Sequence, residues 1–181
     1  MKITETSLPG VLILTPQVYG DARGSFCETW NQRVFAEAGL PVRWVQDNYS
    51  KSVKNVVRGI HYQLIQPQAK LVRVTQGVVL DVAVDLRRSS PHFGEHVAVE
   101  LSVENGQMLY IPVGFGHAFA ALADQVSFSY KVTDYHCREG ERTIRWDDPD
   151  LAIPWPVEPA NAIVSEKDRQ GSALRDAEVF E

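Results

Sequence analysis

Residues 56–86, VVRGIHYQLIQPQAKLVRVTQGVVLDVAVDL, decide the fold. Three runs, 56–64, 70–75 and 78–86, have strand length and are rich in Val, Leu and Ile. Gly77, in TQGV, stands where a left-handed residue is useful. Two titratable side chains, His61 and Lys70, interrupt the apolar pattern. Alternation along a strand assigns faces. Lys70 shares a face with Val72 and Val74. Val57, Gly59, His61 and Gln63 share another, opposite Arg58, Ile60 and Tyr62. In 78–86, Leu80, Val82, Val84 and Leu86 line one face, with Asp81 and Asp85 on the other. Parity leaves open which of these is interior, because the polar face of a barrel strand can line its lumen. A lysine on an apolar face needs a reason, since an unpaired buried charge is costly.

Further strands are predicted over 11–14, 43–49, 96–103, 108–112, 116–122 and 126–133. In the last, Val126, Phe128, Tyr130 and Val132 share a face, so His61, Lys70 and Tyr130 are candidates for one interior. Asn105-Gly106, in ENGQ, is the preferred pair for a type I′ hairpin. Helical signal is sparse. One short helix runs from Asn31 as N-cap to Gly39 as C-cap; another begins at Ser165, where Asp168 replaces the usual capping-box Glu. The Pro-rich stretch WDDPDLAIPWPVEP (146–159) cannot be a central strand and reads as an extended arm over the domain or across a partner. Many short antiparallel strands predict an all-β domain, a sandwich or barrel with the jelly roll as a natural solution. One domain is expected over 1–181, with a core at about 43–135 and packed N- and C-terminal extensions.

The 181 residues are 44% hydrophobic and 23% charged, ordinary for a soluble globular chain. The start, MKITETSLPG, lacks the pattern of a signal peptide, and no apolar run approaches membrane-spanning length. The net charge of −5 and the lack of a basic run argue against nucleic-acid or membrane binding. A phosphorylated small molecule needs only a few placed arginines. Cys27 and Cys137 are far apart, without a CxxC partner, and are expected to be reduced thiols.

PVGFGH (112–117) fits the second motif of the cupin superfamily, P-x-G-x-x-H, and resembles those small jelly-roll barrels. The first motif of metal-binding cupins supplies H-x-H, a Glu and, after six residues, a Gly. Here His61-x-Gln63, Lys70 and Gly77 stand there. An amide replaces the second histidine and a cation replaces the carboxylate, so a metal-free site is expected.

Several segments resemble, in order, the dTDP-4-dehydrorhamnose 3,5-epimerase family: GDARGSFCETWNQRVF (20–35), VQDNYSKS (45–52), VVRGIHYQ (56–63), IPVGFGHAF (111–119), FSYKVTDY (128–135), IRWDDPDLAIPWP (144–156) and SEKDR (165–169). The resemblance covers about residues 3–178. It implies a cupin-type jelly roll with short peripheral helices, acting on a dTDP-4-keto-6-deoxyhexose without metal or cofactor. It implies His61 as base, Asp168 as the carboxylate that orients it, Lys70 as the enolate-side cation and Tyr130 as proton donor. The Tyr130 hydroxyl suits that role if Lys70 lowers its pKa. Arg23, Glu28, Gln46, Asn48, Arg58, His117, Glu141 and Lys167 match ligand-contact positions. Arg58 lies on the opposite parity to His61, which requires Gly59 to bend the strand or the arginine to reach around an edge. The family further implies a cytoplasmic homodimer supplying activated rhamnose for cell-surface polysaccharide. One departure stands out: the family's second Tyr after TDY is His136 here, which leaves open epimerisation at one carbon only. A ketoisomerase, a non-catalytic sugar-nucleotide-binding cupin and, disfavoured by Gln63 and Lys70, a metal-dependent oxygenase are the competing readings.

Overall fold

The computed structural model describes residues 1–181. Its strands are β1 (Lys2–Glu5), β2 (Leu12–Thr15), β3 (Val18–Asp21), β4 (Gly24–Cys27), β5 (Gln46–Ser52), β6 (Val56–Gln63), β7 (Lys70–Gln76), β8 (Val78–Asp85), β9 (His96–Ser102), β10 (Met108–Ile111), β11 (Phe115–Ala121), β12 (Val126–Val132), β13 (Glu141–Thr143) and β14 (Ile163–Val164). Two short helices, α1 (Gln32–Glu37) and α2 (Glu166–Arg169), lie outside the sheets. One sheet has the order β1-β2-β10-β7-β12-β5. The other runs β13-β6-β11-β8-β9, with β14 also on β6. β3 and β4 form a separate hairpin. The all-β cupin-type jelly roll expected from the sequence is the observed architecture.

Strand alternation builds the interior. A cluster of buried side chains fills the space between the sheets, with Val72, Val74, Leu109 and Phe128 from one sheet against Val79, Ala83, Leu101 and Phe119 from the other. The opposite faces are covered too. Ile60, Val82, Val84 and Leu86 pack under Leu151, Leu174, Ala177 and Val179. Leu71, Met108 and Tyr110 pack under Phe35 of α1 and Leu40. The apolar set of β8 therefore faces the C-terminal covering, and its polar set faces the lumen: Asp81 is fully buried there.

Both N-caps are as expected, and the C-cap of α1 is Ala38, one place before the expected Gly39. The Asn31 side chain accepts from the Arg33 and Val34 N–H groups, and Gly39 follows at φ +69°. The Ser165 hydroxyl accepts from the Asp168 N–H at 3.1 Å. The Pro-rich segment is not a strand. It lies over the domain, with Trp146, Leu151 and Val157 buried. Asp148 pins it, accepting from Asp150 N–H at 2.9 Å and Leu174 N–H at 2.9 Å.

Asn105-Gly106 departs from expectation. It joins β9 to β10, which belong to different sheets, so it is a corner and not a hairpin. β10 already has β2 and β7 on its two edges, which leaves no ladder for the turn to close. Gly106 N–H donates to Ser102 O, and the Asn105 side chain accepts from Ser102 and Gln107 N–H groups. The strand expected at 43–49 is displaced to Gln46–Ser52. β1, β3, β4, β13 and β14, each four residues or fewer, were not anticipated.

Gly77 turns the chain from β7 in one sheet to β8 in the other, at φ +78°. A Cβ there would stand 2.4 Å from the Gln125 carbonyl oxygen, part of a backbone that cannot swing aside. Gly77→Ala is expected to cost about 2–4 kcal/mol, from a strained φ plus a backbone clash. Urea unfolding of both proteins measures it; a cost under about 0.5 kcal/mol, the usual size of a surface substitution, would show that the corner does not depend on glycine.

Candidate active site

The site begins with an irregularity in β6. His61 pairs with His117 on β11, and Arg58 pairs with Phe119. Gly59 and Ile60 thus oppose Ala118 alone, a bulge that reverses the alternation. Gly59 adopts φ +118°, and a Cβ there would lie 2.5 Å from His117 O. Glycine therefore bends the strand, and Arg58 and His61 both face the lumen, the first of the two routes anticipated for Arg58.

The cavity holds about 280 Å³ between the sheets. Asn48, Arg58, His61, Lys70, His117, Tyr130 and Glu141, all singled out in the sequence, line it. His61 Nε2 lies 2.6 Å from Asp168 Oδ1, and Gly59 N–H donates to Asp168 Oδ2 at 3.3 Å. The bulge and α2 thus hold one carboxylate between them. Burial pushes the Asp168 carboxyl up, but the hydrogen bond and charge of His61, with the Gly59 and Ser165 contacts, outweigh burial and hold it below the usual range. Asp168 stays ionised, and an Nε2–H donor fixes the imidazole and leaves Nδ1 as its free nitrogen.

Lys70 is 8% exposed and donates to His61 O at 3.4 Å. Burial pulls its ammonium down to about 8, against the supporting charges of Asp81 and Glu141. Asp81 is the residue that sequence reasoning missed. It accepts from His117 Nε2 at 3.0 Å, and burial drives the Asp81 carboxyl up and the His117 imidazole down. Its signal was present: Asp81 lies on the polar face of β8, and the lumen is where that face points. Phe128 and Phe119 stack with ring centroids 4.4 Å apart, and Phe128 stacks on His117 at 5.9 Å. These rings wall the cavity, although in sequence they read as plain core.

Burial raises the Tyr130 hydroxyl, and Arg58, not Lys70, is the cation that opposes the rise. Lys70 had been expected to lower it. Arg58 is the cation whose charge reaches the Tyr130 hydroxyl, whereas Lys70 interacts with Asp81 and Glu141. Arg58 is steadied by Ser52 Oγ and Lys51 O, each at 3.1 Å. Gln46 donates to Asn48 Oδ1 at 2.7 Å, and its Oε1 accepts from His136 N–H at 3.3 Å. Lys167, on α2, donates to Glu141.

Gln63, at the second motif-histidine position, clasps loops. Its amide donates to Gln66 O at 2.8 Å and accepts from Cys137 N–H at 3.0 Å. No cluster of three His, Cys, Asp or Glu side chains is placed to hold a metal ion. Arg23 and Glu28 are not brought to this cavity. Arg23, its side chain 90% exposed, sits on the β3–β4 hairpin paired with Asp21, and Glu28 accepts from Asn31.

With this geometry, the comparisons with known proteins agree. Residues 5–176 match the family model described as dTDP-4-dehydrorhamnose 3,5-epimerase. The chain belongs to that family. It is an isomerase, as expected. A dTDP-4-dehydrorhamnose 3,5-epimerase from Pseudomonas aeruginosa is 52% identical, the alignment covering 99% of each chain. A dTDP-6-deoxy-D-glucose-3,5-epimerase from Legionella pneumophila Philadelphia 1, solved in complex with dTDP-4-keto-L-rhamnose, superposes with a TM-score of 0.95 at 44% identity over 98% of this chain and 94% of that one. A dTDP-4-dehydrorhamnose 3-epimerase from Streptomyces niveus is 36% identical over 98% of this chain and 86% of its own length.

Asp81 supports two buried groups, Lys70 and His117. Asp81→Ala is expected to lower stability by about 3–5 kcal/mol, the cost of removing one member of a buried charged set. Adding Lys70→Met should recover part of that loss. Urea denaturation at pH 7 reads both; a loss below about 1 kcal/mol would mean that Asp81 does not stabilise the charge of Lys70.

Proposed function

We propose that the chain epimerises dTDP-4-dehydro-6-deoxy-D-glucose at C3 and C5, giving dTDP-4-dehydro-L-rhamnose. The observation that carries this reading is His61 of one sheet paired with Asp168 of α2, with Tyr130 on the other sheet and buried Lys70 in the same lumen. The C4 ketone acidifies the hydrogens on C3 and C5. His61 removes a proton, and ionised Asp168 holds the ring and stabilises the imidazolium. Charge develops on the C4 oxygen, where the Lys70 ammonium meets it. With its folded value at about 8, Lys70 offers that charge below pH 8 and loses it as pH rises through 8. Tyr130 keeps its proton at neutral pH and delivers it to the opposite ring face, the resulting phenolate lying under the influence of Arg58. Proton transfer balances without change of oxidation state, so no redox cofactor is required. Arg58 suits the diphosphate, Gln46 and Asn48 suit thymine or sugar edges, and Glu141 and Lys167 stand at the mouth.

The same proposal includes a cytoplasmic homodimer. Val18, Tyr19 and Phe26 of the β3–β4 hairpin are exposed, and Arg23 rides on that hairpin. Laid over a second copy, the hairpin brings Arg23 and Glu28 to its pocket mouth. The product suits a route to activated rhamnose for cell-surface polysaccharide. A second reading, epimerisation at a single carbon, rests on His136 in the pocket wall, where the family pattern has a tyrosine.

Proton NMR of the 4-keto sugar in deuterated water follows C3 and C5 separately. Wild type should exchange and epimerise both; exchange at one carbon alone would establish the second reading. His61→Ala should slow exchange by about 10²–10⁴-fold, and Tyr130→Phe should retain exchange better than epimerisation. Unchanged exchange in His61→Ala would overturn the assignment of the base.

Light scattering is expected to give twice the 20.3 kDa of one chain, and Phe26→Ser should shift the particle toward a single chain and weaken nucleotide binding. A fully active particle of one chain would refute the dimer.

A further inference from the structure

One carboxylate oxygen at the pocket mouth has two basic side chains near it. Lys167 Nζ donates to Glu141 Oε1, and His136 Nε2 lies 3.8 Å from the same Oε1, too long for a hydrogen bond. The three side chains differ in freedom. Glu141 is the most covered, its side chain 27% exposed, on β13 against β6. Lys167 reaches from α2 on a flexible four-carbon stem, its helix fixed by the Ser165 cap and by Asp168 on Gly59 and His61. His136 has a ring 57% exposed on a main chain clasped from both sides. Its own N–H donates to Gln46, Tyr135 O accepts from Gln63, and Cys137 N–H donates to Gln63. The backbone of this segment is thus held, and the exposed ring is its free part.

We propose that Glu141 is a positioning residue with two alternative cationic partners, and that an anionic ligand moves it from Lys167 to His136. The inference rests on the reading above only in that the ligand carries a diphosphate. A diphosphate presents more negative charge than one carboxylate, so the Lys167 ammonium transfers to it. Glu141, half-covered, then needs a new partner. The His136 ring closes the 3.8 Å gap and takes a proton from solvent, because a carboxylate at contact favours the imidazolium. The charge on Glu141 is kept in both states. That matters to the interior: Glu141 acts on Lys70, supporting its ammonium, and on Tyr130. The exchange admits the ligand while keeping the Glu141 charge beside Lys70 and Tyr130.

The groups around the exchange come from every wall. They are Lys167 on α2, His61 and Arg58 on β6, Lys70 on β7 and Tyr130 on β12, with neutral Gln46 from β5. On the His136 segment itself, Arg138 and Glu139 are exposed to solvent. Proton uptake on binding fixes the sign: the bound state holds one more proton, so affinity falls as pH rises through the histidine range.

Calorimetric titration with dTDP-glucose tests this. That probe has a diphosphate but no 4-ketone and no phosphate that titrates near neutrality, so it is neither turned over nor itself a source of protons. Titrations in two buffers of different ionisation enthalpy should give uptake of about half a proton per ligand near pH 7. The Kd should rise about 3–10-fold from pH 6 to pH 8. His136→Gln and Glu141→Gln should each abolish the uptake and flatten the pH dependence, and His92→Gln, which lies outside this pocket beside Glu95, should retain both. Uptake persisting in His136→Gln, or tight binding to wild type without uptake, would overturn the exchange. Failure of dTDP-glucose to bind wild type at all would sink the functional reading and the exchange with it.

Discussion

The site depends on the bulge at Gly59 and Ile60. Without it, β6 would alternate regularly, and Arg58 and His61 would face opposite sides of a sheet that is buried on both. The bulge also frees the Gly59 N–H from the ladder and aims it at Asp168, so one local distortion both recruits a cation to the lumen and anchors the carboxylate behind the base. Glycine is demanded twice over, by φ +118° and by the His117 carbonyl 2.5 Å from any Cβ.

The second constraint is electrostatic. Lys70, Asp81 and His117 are all under 9% exposed, an arrangement that an apolar core tolerates only as a set. Lys70 gains from Asp81 and Glu141, and Asp81 gains from His117 and Lys70. The outcome is an ammonium lowered to about 8 on the wall of the cavity, largely removed from bulk solvent. Phe119 and Phe128 line the same cavity, so their stacking shapes the site as well as the core.

Much of this was legible in the residues, and the gaps have physical causes. Alternation placed Lys70 and Tyr130 inward, and side-chain chemistry located both helix N-caps. Parity misplaced Arg58, because one inserted residue inverts every face beyond it. Asn105-Gly106 read as a hairpin because turn chemistry is local, whereas the choice between a hairpin and a corner depends on which strands are already paired. Asp81 went unassigned because both faces of β8 are buried: one packs under Leu174 and Val179, the other lines the lumen. The very short strands escaped because four residues or fewer carry too little periodicity to register.

His61 and its carboxylate are separated by 107 positions along the chain. On a ribosome working at about 5–20 residues per second, roughly 5–20 s pass between the synthesis of the two. During that interval the imidazole has no partner to fix its tautomer. Docking of a single helical turn onto β6 is therefore the event that completes the acid–base pair.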